Sequence, residues 1–312
     1  MMPQPMGAFH FIADRGDARL RLDQAIVRRG REVAGLSRNR AQVWIEAGAV
    51  RVDGREVRRP ASRIPEGSAV DVDLPEGAGV RAAPLPEAGP LEILYEDAAL
   101  IALNKPAGLV VHPSYRNTTG TLLNALLGRL PHGSRPGIVT RLDKDTSGLV
   151  LVALTPGIHA AVQRAATAGL VKKEYLAVVR GVPSPRLGTI RLALGRDPGD
   201  RRRVIATLTG QTSETRYEVI DQEASRTWPT MSVVRCELVT GRTHQIRVHL
   251  AASGWPILGD RVYGGAHETI GRQALHAWRI RLPHPTTGEP ITIVAPLPAD
   301  MTTAFPTLAS GW

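Results

Sequence analysis

Residues 149–154, Leu-Val-Leu-Val-Ala-Leu, are apolar without interruption. A run of that length beside turn signals predicts a buried strand. Directly ahead of it lies a polar cluster of Arg141, Asp143, Lys144, Asp145, Thr146 and Ser147, bracketed by Gly137 and Gly148. The two glycines predict backbone turns on either side. A carboxylate beside two cations, on a loop that feeds a buried strand, can be held ionised and aimed. The same residue types also suit a solvated, charge-paired turn, which on chemistry alone is the commoner outcome.

The chain around this feature has 312 residues, 43% of them hydrophobic, enough for a sizeable core and, by length, two domains. It contains no run of about 18–20 apolar residues, so no membrane-spanning helix and no membrane partner are expected. Residues 1–12 lack a basic start and a continuous apolar core, which argues against a secretory signal. Cys236 is the sole cysteine, which excludes an internal disulfide and a cysteine-built metal site and fits a cytoplasmic location. Its place in the strand-like segment 232–238 predicts a packed core thiol. The formal net charge is +10, from 39 basic and 29 acidic residues. Such an excess attracts polyanions, nucleic acid first.

Residues 1–16 carry little pattern and read as a flexible tail. Residues 17–75 read as a small domain. Leu22, Ala25, Ile26 and Arg29 have helical spacing, and a loop with Gly35 follows. Ser37 is placed to cap a second helix reaching about Ala47, with Gly48 ending it. Asp53-Gly54 between short alternating segments is a two-residue hairpin signal, and a last strand is expected over 69–72. Arg28, Arg29, Arg38, Arg40, Arg51, Arg55, Arg58 and Arg59 are spread over this module. Across residues 21–72 it resembles the small α-L RNA-binding domain shared with a ribosomal protein of the small subunit. The most specific pieces are Arg21-Leu22-Asp23, Ser37-Arg38-x-Arg40 and the segment ending in Val50-Arg51-Val52-Asp53-Gly54. The resemblance implies RNA contacts at Arg38, Arg40 and Arg51.

Residues 76–90, rich in Pro, Gly and Ala, read as a linker, and 91–312 as the second domain. Two strands around Glu96-Asp97 open it. Lys105, before Pro106, reads as an exposed turn lysine. A helix is expected over 118–130, and another opened by Thr155 as cap and Pro156 at the first position, closed by Gly169. Residues 171–179 read as a strand. Residues 184–230 are less legible, apart from the basic loop Gly199-Asp200-Arg201-Arg202-Arg203 and the pairing of 215–219 with 232–238. In Thr240-Gly241-Arg242-Thr243-His244-Gln245-Ile246-Arg247-Val248-His249-Leu250, Thr243 is placed to cap a helix that reaches about Ser253. His244, Arg247, Val248 and Ala251 would share one face of it, where a core-facing helix shows aliphatics.

Thr140-Arg141-Leu142-Asp143-Lys144-Asp145-Thr146-Ser147-Gly148 resembles the catalytic loop of the RluA-type pseudouridine synthases, which reads His-Arg-Leu-Asp-x-x-Thr-Ser-Gly. Lys173-Glu174-Tyr175-Leu176, Gly241-Arg-Thr-His-Gln-Ile-Arg247 and Asn104-Lys105-Pro106 also match that family, in the same order along the chain. The resemblance implies an α+β fold: a mixed, mainly antiparallel central sheet with flanking helices and an active cleft across its middle. It implies an isomerase that converts uridine in RNA to pseudouridine, with no cofactor and no metal. Asp143 would be the catalytic carboxylate, acting as nucleophile at the sugar or as base at the neighbouring ribose carbon. Arg247 would pair with Asp143, Tyr175 would stack on the target uracil, and Arg141 would occupy the gap left by the flipped nucleotide. Thr140 replaces the family's His, a departure that bears on the local RNA contact more than on the chemistry. With the N-terminal module, large-subunit ribosomal RNA is the favoured substrate, transfer RNA stays open, and a monomer is expected. A non-catalytic RNA-binding or ribosome-assembly protein, or a nucleosidase, are the other classes, and the intact Asp, Tyr and Arg set argues against the first.

Overall fold

A computed structural model of the chain describes residues 8–30, 36–73, 84–113, 117–200, 203–223, 230–264, 267–306 and 308. Cα packing divides it into two units, Met1–Ala83 and Pro84–Trp312. The Gly35 loop and Arg201 and Arg202 of the basic loop lie outside the described residues.

The first unit runs β1 (Ala8–Ile12), α1 (Leu22–Arg29), α2 (Arg38–Glu46), β2 (Val50–Val52), β3 (Arg55–Glu56) and β4 (Ala69–Asp73), with sheet order β1-β4-β2-β3. Ser37 caps α2 by accepting from the backbone N–H of Arg40, and Gly48 ends it at φ 81°. Asp53 and Gly54 both have positive φ, as the tight hairpin between β2 and β3 requires. Leu22, Ala25 and Ile26 of α1 pack with Ala41, Trp44 and Ile45 of α2 over Val50, Val70 and Val72. The expected tail over 1–16 is corrected: Ala8–Ile12 pair antiparallel with β4, and Phe11 is buried. Strand pairing supplies hydrogen bonds that a five-residue pattern does not advertise.

The second unit runs β5 (Glu92–Glu96), β6 (Leu100–Lys105), α3 (Leu122–Arg129), β7 (Gly137–Ile138), β8 (Ser147–Ala153) and α4 (Pro156–Thr167). It continues through β9 (Lys172–Arg180), β10 (Leu187–Arg196), β11 (Val204–Ala206), β12 (Gln211–Glu223), β13 (Met231–Leu238) and α5 (Gln245–Ala252). β14 (Leu275–Pro283), β15 (Pro290–Val294) and α6 (Ala299–Ala304) complete it. One mixed sheet takes the order β11-β10-β12-β13-β9-β14-β8-β6-β5, with β15 on β14 and β7 on β8. Among the described residues its pairings are antiparallel except β14 with β8.

The apolar run is interior for a visible reason. Every residue of β8 is buried. Leu149, Leu151 and Ala153 enter one core with β9, β13 and α5, whereas Val150 and Val152 enter a second with α3. Gly148, at φ 107°, sits where β8 meets β14. A Cβ there would lie 2.2 Å from the Ala277 carbonyl oxygen, so only glycine permits the parallel pairing.

Two further expectations are corrected. The helix expected over 118–130 starts at Leu122, because Thr121 and Asn124 form a reciprocal capping box. The expected linker 76–90 is partly packed structure. Residues 74–83 lie outside the described residues, but Asn124 donates to the Leu85 carbonyl, Glu87 N–H donates to the Asn124 carbonyl, and Gly128 leaves room for the Glu87 backbone.

His249 and His276 are fully buried and meet serine hydroxyls, Ser213 at 2.8 Å and Ser147 at 3.0 Å. Burial pushes both imidazoles down to about 4. In the unfolded chain each takes a proton near pH 6.5. Between about pH 6.5 and 4 the unfolded state therefore binds more protons, and stability falls as pH falls, by about 1.4 kcal/mol per pH unit per imidazole. Urea unfolding at pH 7, 6 and 5 is expected to show this loss. His249→Gln should remove about one imidazole's share of the slope, and an unchanged slope would contradict the assignment.

Candidate active site

The loop before β8 carries Asp143, and its backbone is held from several directions. Thr146 N–H donates to the Asp143 carbonyl (3.1 Å), and Gly108 N–H donates to that of Lys144 (2.9 Å). Lys105 has no exposed surface, which corrects the reading of it as an exposed turn lysine. Its Nζ donates to the carbonyls of Pro106, Leu109 and Lys144 at 2.8, 2.9 and 2.9 Å, tying the end of β6 to the Asp143 loop. Burial pulls this ammonium down to about 8. Thr140 is also buried, and its hydroxyl accepts from Leu151 N–H at 2.8 Å. The residue that departs from the resembled motif thus fastens the loop to β8.

Asp143 is partly exposed, at 26% of its side chain, and its Oδ2 accepts from Nη1 of Arg247 at 2.8 Å. Oδ1 accepts no hydrogen bond from any described residue. Arg247 projects from α5 and is 6% exposed. Its Nε and Nη2 are taken by both oxygens of Asp260, at 2.7 and 2.9 Å. Burial opposes the charge on this guanidinium, but Asp260 and then Asp143 outweigh it and raise its pKa above the ordinary arginine value. Asp260 also accepts from the backbone N–H groups of Val262 and Tyr263, so its position is set independently of Asp143. One buried fork therefore spans a structural carboxylate and a cavity-facing one.

The helix carrying Arg247 begins without the expected Thr243 cap. His244 occupies that place in the left-handed conformation at φ 54°. Its Nδ1 meets the Tyr263 hydroxyl at 2.9 Å, and its Nε2 stands 3.8 Å from Oδ2 of Asp143. Burial pulls the imidazole below its ordinary pKa. The Tyr263 hydroxyl accepts from Val204 N–H, which leaves its own proton free for Nδ1 of His244. A neutral His244 in that arrangement carries its proton on Nε2, facing Asp143. Strain of this kind collects at functional sites.

Asp143 lines a cavity of about 700 Å³ with Arg141, Thr140, Lys173, Tyr175, His244 and Arg247. Tyr175, on β9, is 7% exposed. Burial, then the charge of Asp143, pushes its phenol up well above the ordinary value, so it stays protonated at neutral pH. Arg141 is exposed, lines the same cavity and forms no ion pair among the described residues. The structure thus brings Asp143, Tyr175, Arg247 and Arg141 to one cavity. The volume suits a nucleoside, with an aromatic ring in the wall, a carboxylate with one oxygen open and a cation beside it. Among the described residues no group of three or more His, Cys, Asp or Glu side chains is placed to hold a metal ion.

The sequence reading missed Asp260, Tyr263 and Lys105 as parts of this site. Asp260 and Tyr263 stand three residues apart in a Gly-Asp-Arg-Val-Tyr string, which offered a signal but no role. In the first unit, Arg38 donates to buried Asp23 at 2.9 Å, Arg40 stands over the Trp44 ring, and Arg51 pairs with Asp73. The side chains of Arg38 and Arg51 remain half exposed, at 51% each.

Residues 99–252 match the family model for RNA pseudouridylate synthase, and residues 20–70 match that of the S4 domain. A Nitrosomonas europaea protein named ribosomal large subunit pseudouridine synthase D is 40% identical over 91% of this chain and 83% of its own length. A Bacillus subtilis protein named uncharacterized RNA pseudouridine synthase YlyB is 40% identical over 85% of this chain and 87% of its own. Among solved structures, human RNA pseudouridylate synthase domain containing 1 has a TM-score of 0.56 at 30% identity, covering 68% of this chain and 86% of its own.

Removing Asp260 leaves a buried guanidinium with its main partner gone, which costs about 3–5 kcal/mol. Asp260→Ala is therefore expected to lower the unfolding free energy by that amount in urea titration. Asp143→Asn, at a partly exposed position, should cost less than about 1 kcal/mol. Equal losses would contradict the division of labour between the two carboxylates.

Proposed function

This chain belongs to the RNA pseudouridylate synthase family, and from that we propose that it isomerises specific uridines of large-subunit ribosomal RNA, as a monomer in the cytoplasm. In this reaction the bond from uracil N1 to ribose C1′ breaks, the base turns within the pocket, and a C5–C1′ bond forms. The proton lost from C5 is balanced by one gained at N1, so no redox partner and no high-energy phosphate enters. Glycosidases pair their carboxylate with an acid because a sugar oxygen must be protonated to leave. A uracil anion leaves more readily and need only be kept in the pocket while it turns, so one carboxylate suffices.

The observation that carries the assignment is the half-occupied carboxylate of Asp143. Oδ2 is held by a buried arginine, and Oδ1 is left without a partner among the described residues, in a cavity walled by a buried tyrosine. Oδ1 acts on the ribose, either at C1′ as nucleophile or on the C2′ hydrogen as base. Both roles require the same ionised, aimed oxygen. A primary isotope effect on turnover with 2′-deuterated uridine separates them, since only the base role breaks that C–H bond. Tyr175 stacks on the flipped base, and its phenol stays protonated at neutral pH. Arg141, a planar and exposed cation of the cavity wall, fills the space that the base vacates.

The RNA class rests on the S4 match, the net charge of +10, and relatives named for the large ribosomal subunit. Arg38, Arg40 and Arg51 serve the RNA backbone. For Arg38 and Arg51 this is supported by side chains that stay half exposed while each is tethered to a carboxylate. Pseudouridine mapping of ribosomal and transfer RNA from cells lacking the gene is expected to show large-subunit sites vanish. They should return with the wild type and not with Asp143→Asn, which retains RNA affinity within about threefold. Restoration by the Asn variant would overturn the role of Asp143. Loss confined to transfer RNA would overturn the substrate.

A further inference from the structure

Strand β9 begins Lys172-Lys173-Glu174-Tyr175, and successive side chains of a strand point to opposite faces. On one face the charges are paired. Lys172 meets Glu237 at 3.2 Å, and both oxygens of Glu174 accept from Arg279. On the other face Lys173 and Tyr175 line the same cavity as Asp143. A Cβ at Gly241 would stand 3.7 Å from Nζ of Lys173, which places the ammonium beside the turn that leads to α5.

This ammonium differs from the other lysine that the fold draws inward. Lys105 donates to three backbone carbonyls. Lys173 is partly buried, yet it has no hydrogen-bond or ion-pair partner among the described residues. Burial pulls it below the ordinary lysine value, with no carboxylate acting against that shift. A sheltered polar group without a partner calls for an explanation, and here the open side of the group is the candidate active cavity. An anion brought beside it would favour its charged form.

The reaction supplies such an anion. When the N1–C1′ bond breaks, its electron pair leaves with the base. Asp143 loses its own charge in the same step, by bonding to C1′ or by taking the C2′ proton. One negative charge therefore moves from the carboxylate to the uracil, where it spreads over N1, C5, O2 and O4. Arg247 cannot follow it, since its three nitrogens are held by Asp143 and Asp260. The base then turns about its C6–N3 axis, which exchanges N1 with C5 and O2 with O4. A fixed donor at the edge of the ring thus meets a carbonyl oxygen both before and after the turn.

We propose that the Lys173 ammonium is a catalytic group that holds the detached uracil anion, donating to O2 before the base turns and to O4 afterwards. The proposal rests on the RNA pseudouridine synthase reading above and adds a residue to it. Lys173 keeps its protons throughout, and the electron pair returns to C1′ from C5. The contact strengthens as the base gains charge, so it favours bond breaking over binding.

The test uses in vitro transcribed large-subunit ribosomal RNA and the Lys173→Met variant, which keeps an apolar stem and lacks the charge. Its single-turnover rate at saturating RNA is expected to fall about 100- to 1,000-fold, as on loss of a donor to a developing anion. In the Asp143→Asn background, Kd and its salt dependence should match those with Lys173 intact, which also shows that the variant folds. Lys172→Met removes the neighbouring charge from the other face and should leave the rate within about threefold. RNA carrying 5-fluorouridine adds a readout that a merely structural role would not move, because fluorine at C5 stabilises the uracil anion. The ratio of wild-type to Lys173→Met rates for loss of 5-fluorouridine should be about tenfold smaller than the ratio for uridine. A Lys173→Met rate within about threefold of wild type, or a ratio that fluorine leaves unchanged, overturns the proposal. A raised Kd with a log Kd against log salt plot flattened by about 0.7 would make Lys173 a phosphate contact and also overturns it. Wild type that makes no pseudouridine in any RNA would instead overturn the reaction proposed above.

Discussion

One buried guanidinium organises the site. Arg247 cannot be left alone at 6% exposure, because an unpaired buried charge is among the most costly groups a fold can hold. Asp260 meets that demand with two hydrogen bonds and is itself fixed by two backbone N–H groups. The remaining Nη1 then has a defined direction, and Asp143 lies along it. The position of the cavity-facing carboxylate is thus inherited from a pair that does not face the cavity. Tyr263 extends the arrangement: its ring lies 5.1 Å from the Arg247 guanidinium, and its hydroxyl joins His244 to the backbone of Val204.

The sheet supplies the other half of the geometry. Asp143 must approach α5 from a loop more than a hundred residues earlier, and the approach is set by β8. This strand is buried on both faces, pairs with β6 along its length, and takes β14 in parallel at Gly148. Lys105 pins the Lys144 carbonyl from the β6 side, and Ser147 meets His276 from the β14 side. The loop is therefore clamped at the ends of both neighbouring strands while the Asp143 carboxylate stays accessible. Rigid supports of this kind suit chemistry in which the base must turn while the sugar and carboxylate keep their places.

The parts of this arrangement that are local were legible in the sequence. The apolar run announced β8, Ser37 and Thr155 announced their helices, and Asp53-Gly54 announced a hairpin. Asp143, Arg141, Tyr175 and Arg247 were named by motif, and they meet at one cavity. The parts that depend on contacts distant in sequence were not legible. Lys105 reads as a turn lysine until the Lys144 carbonyl, 39 residues away, is placed against it. Asp260 is one carboxylate among 29 acidic residues until α5 brings Arg247 to it. Residues 8–12 and 84–90 looked loose because their hydrogen-bond partners lie in β4 and α3. Thr243 was the natural cap by residue type, yet the turn places His244 there in a conformation that threonine, β-branched, adopts poorly.

The central claim is that Arg247 acts through geometry, by aiming Asp143, and not merely through its charge. Arg247→Lys tests this most directly, since lysine keeps the cation but cannot span two carboxylates with a planar fork. Single-turnover pseudouridine formation at saturating RNA, measured on folded variant, is expected to fall by more than about a thousandfold, with RNA affinity unchanged within about threefold. A rate within about tenfold of wild type would show that charge alone suffices and would contradict the account.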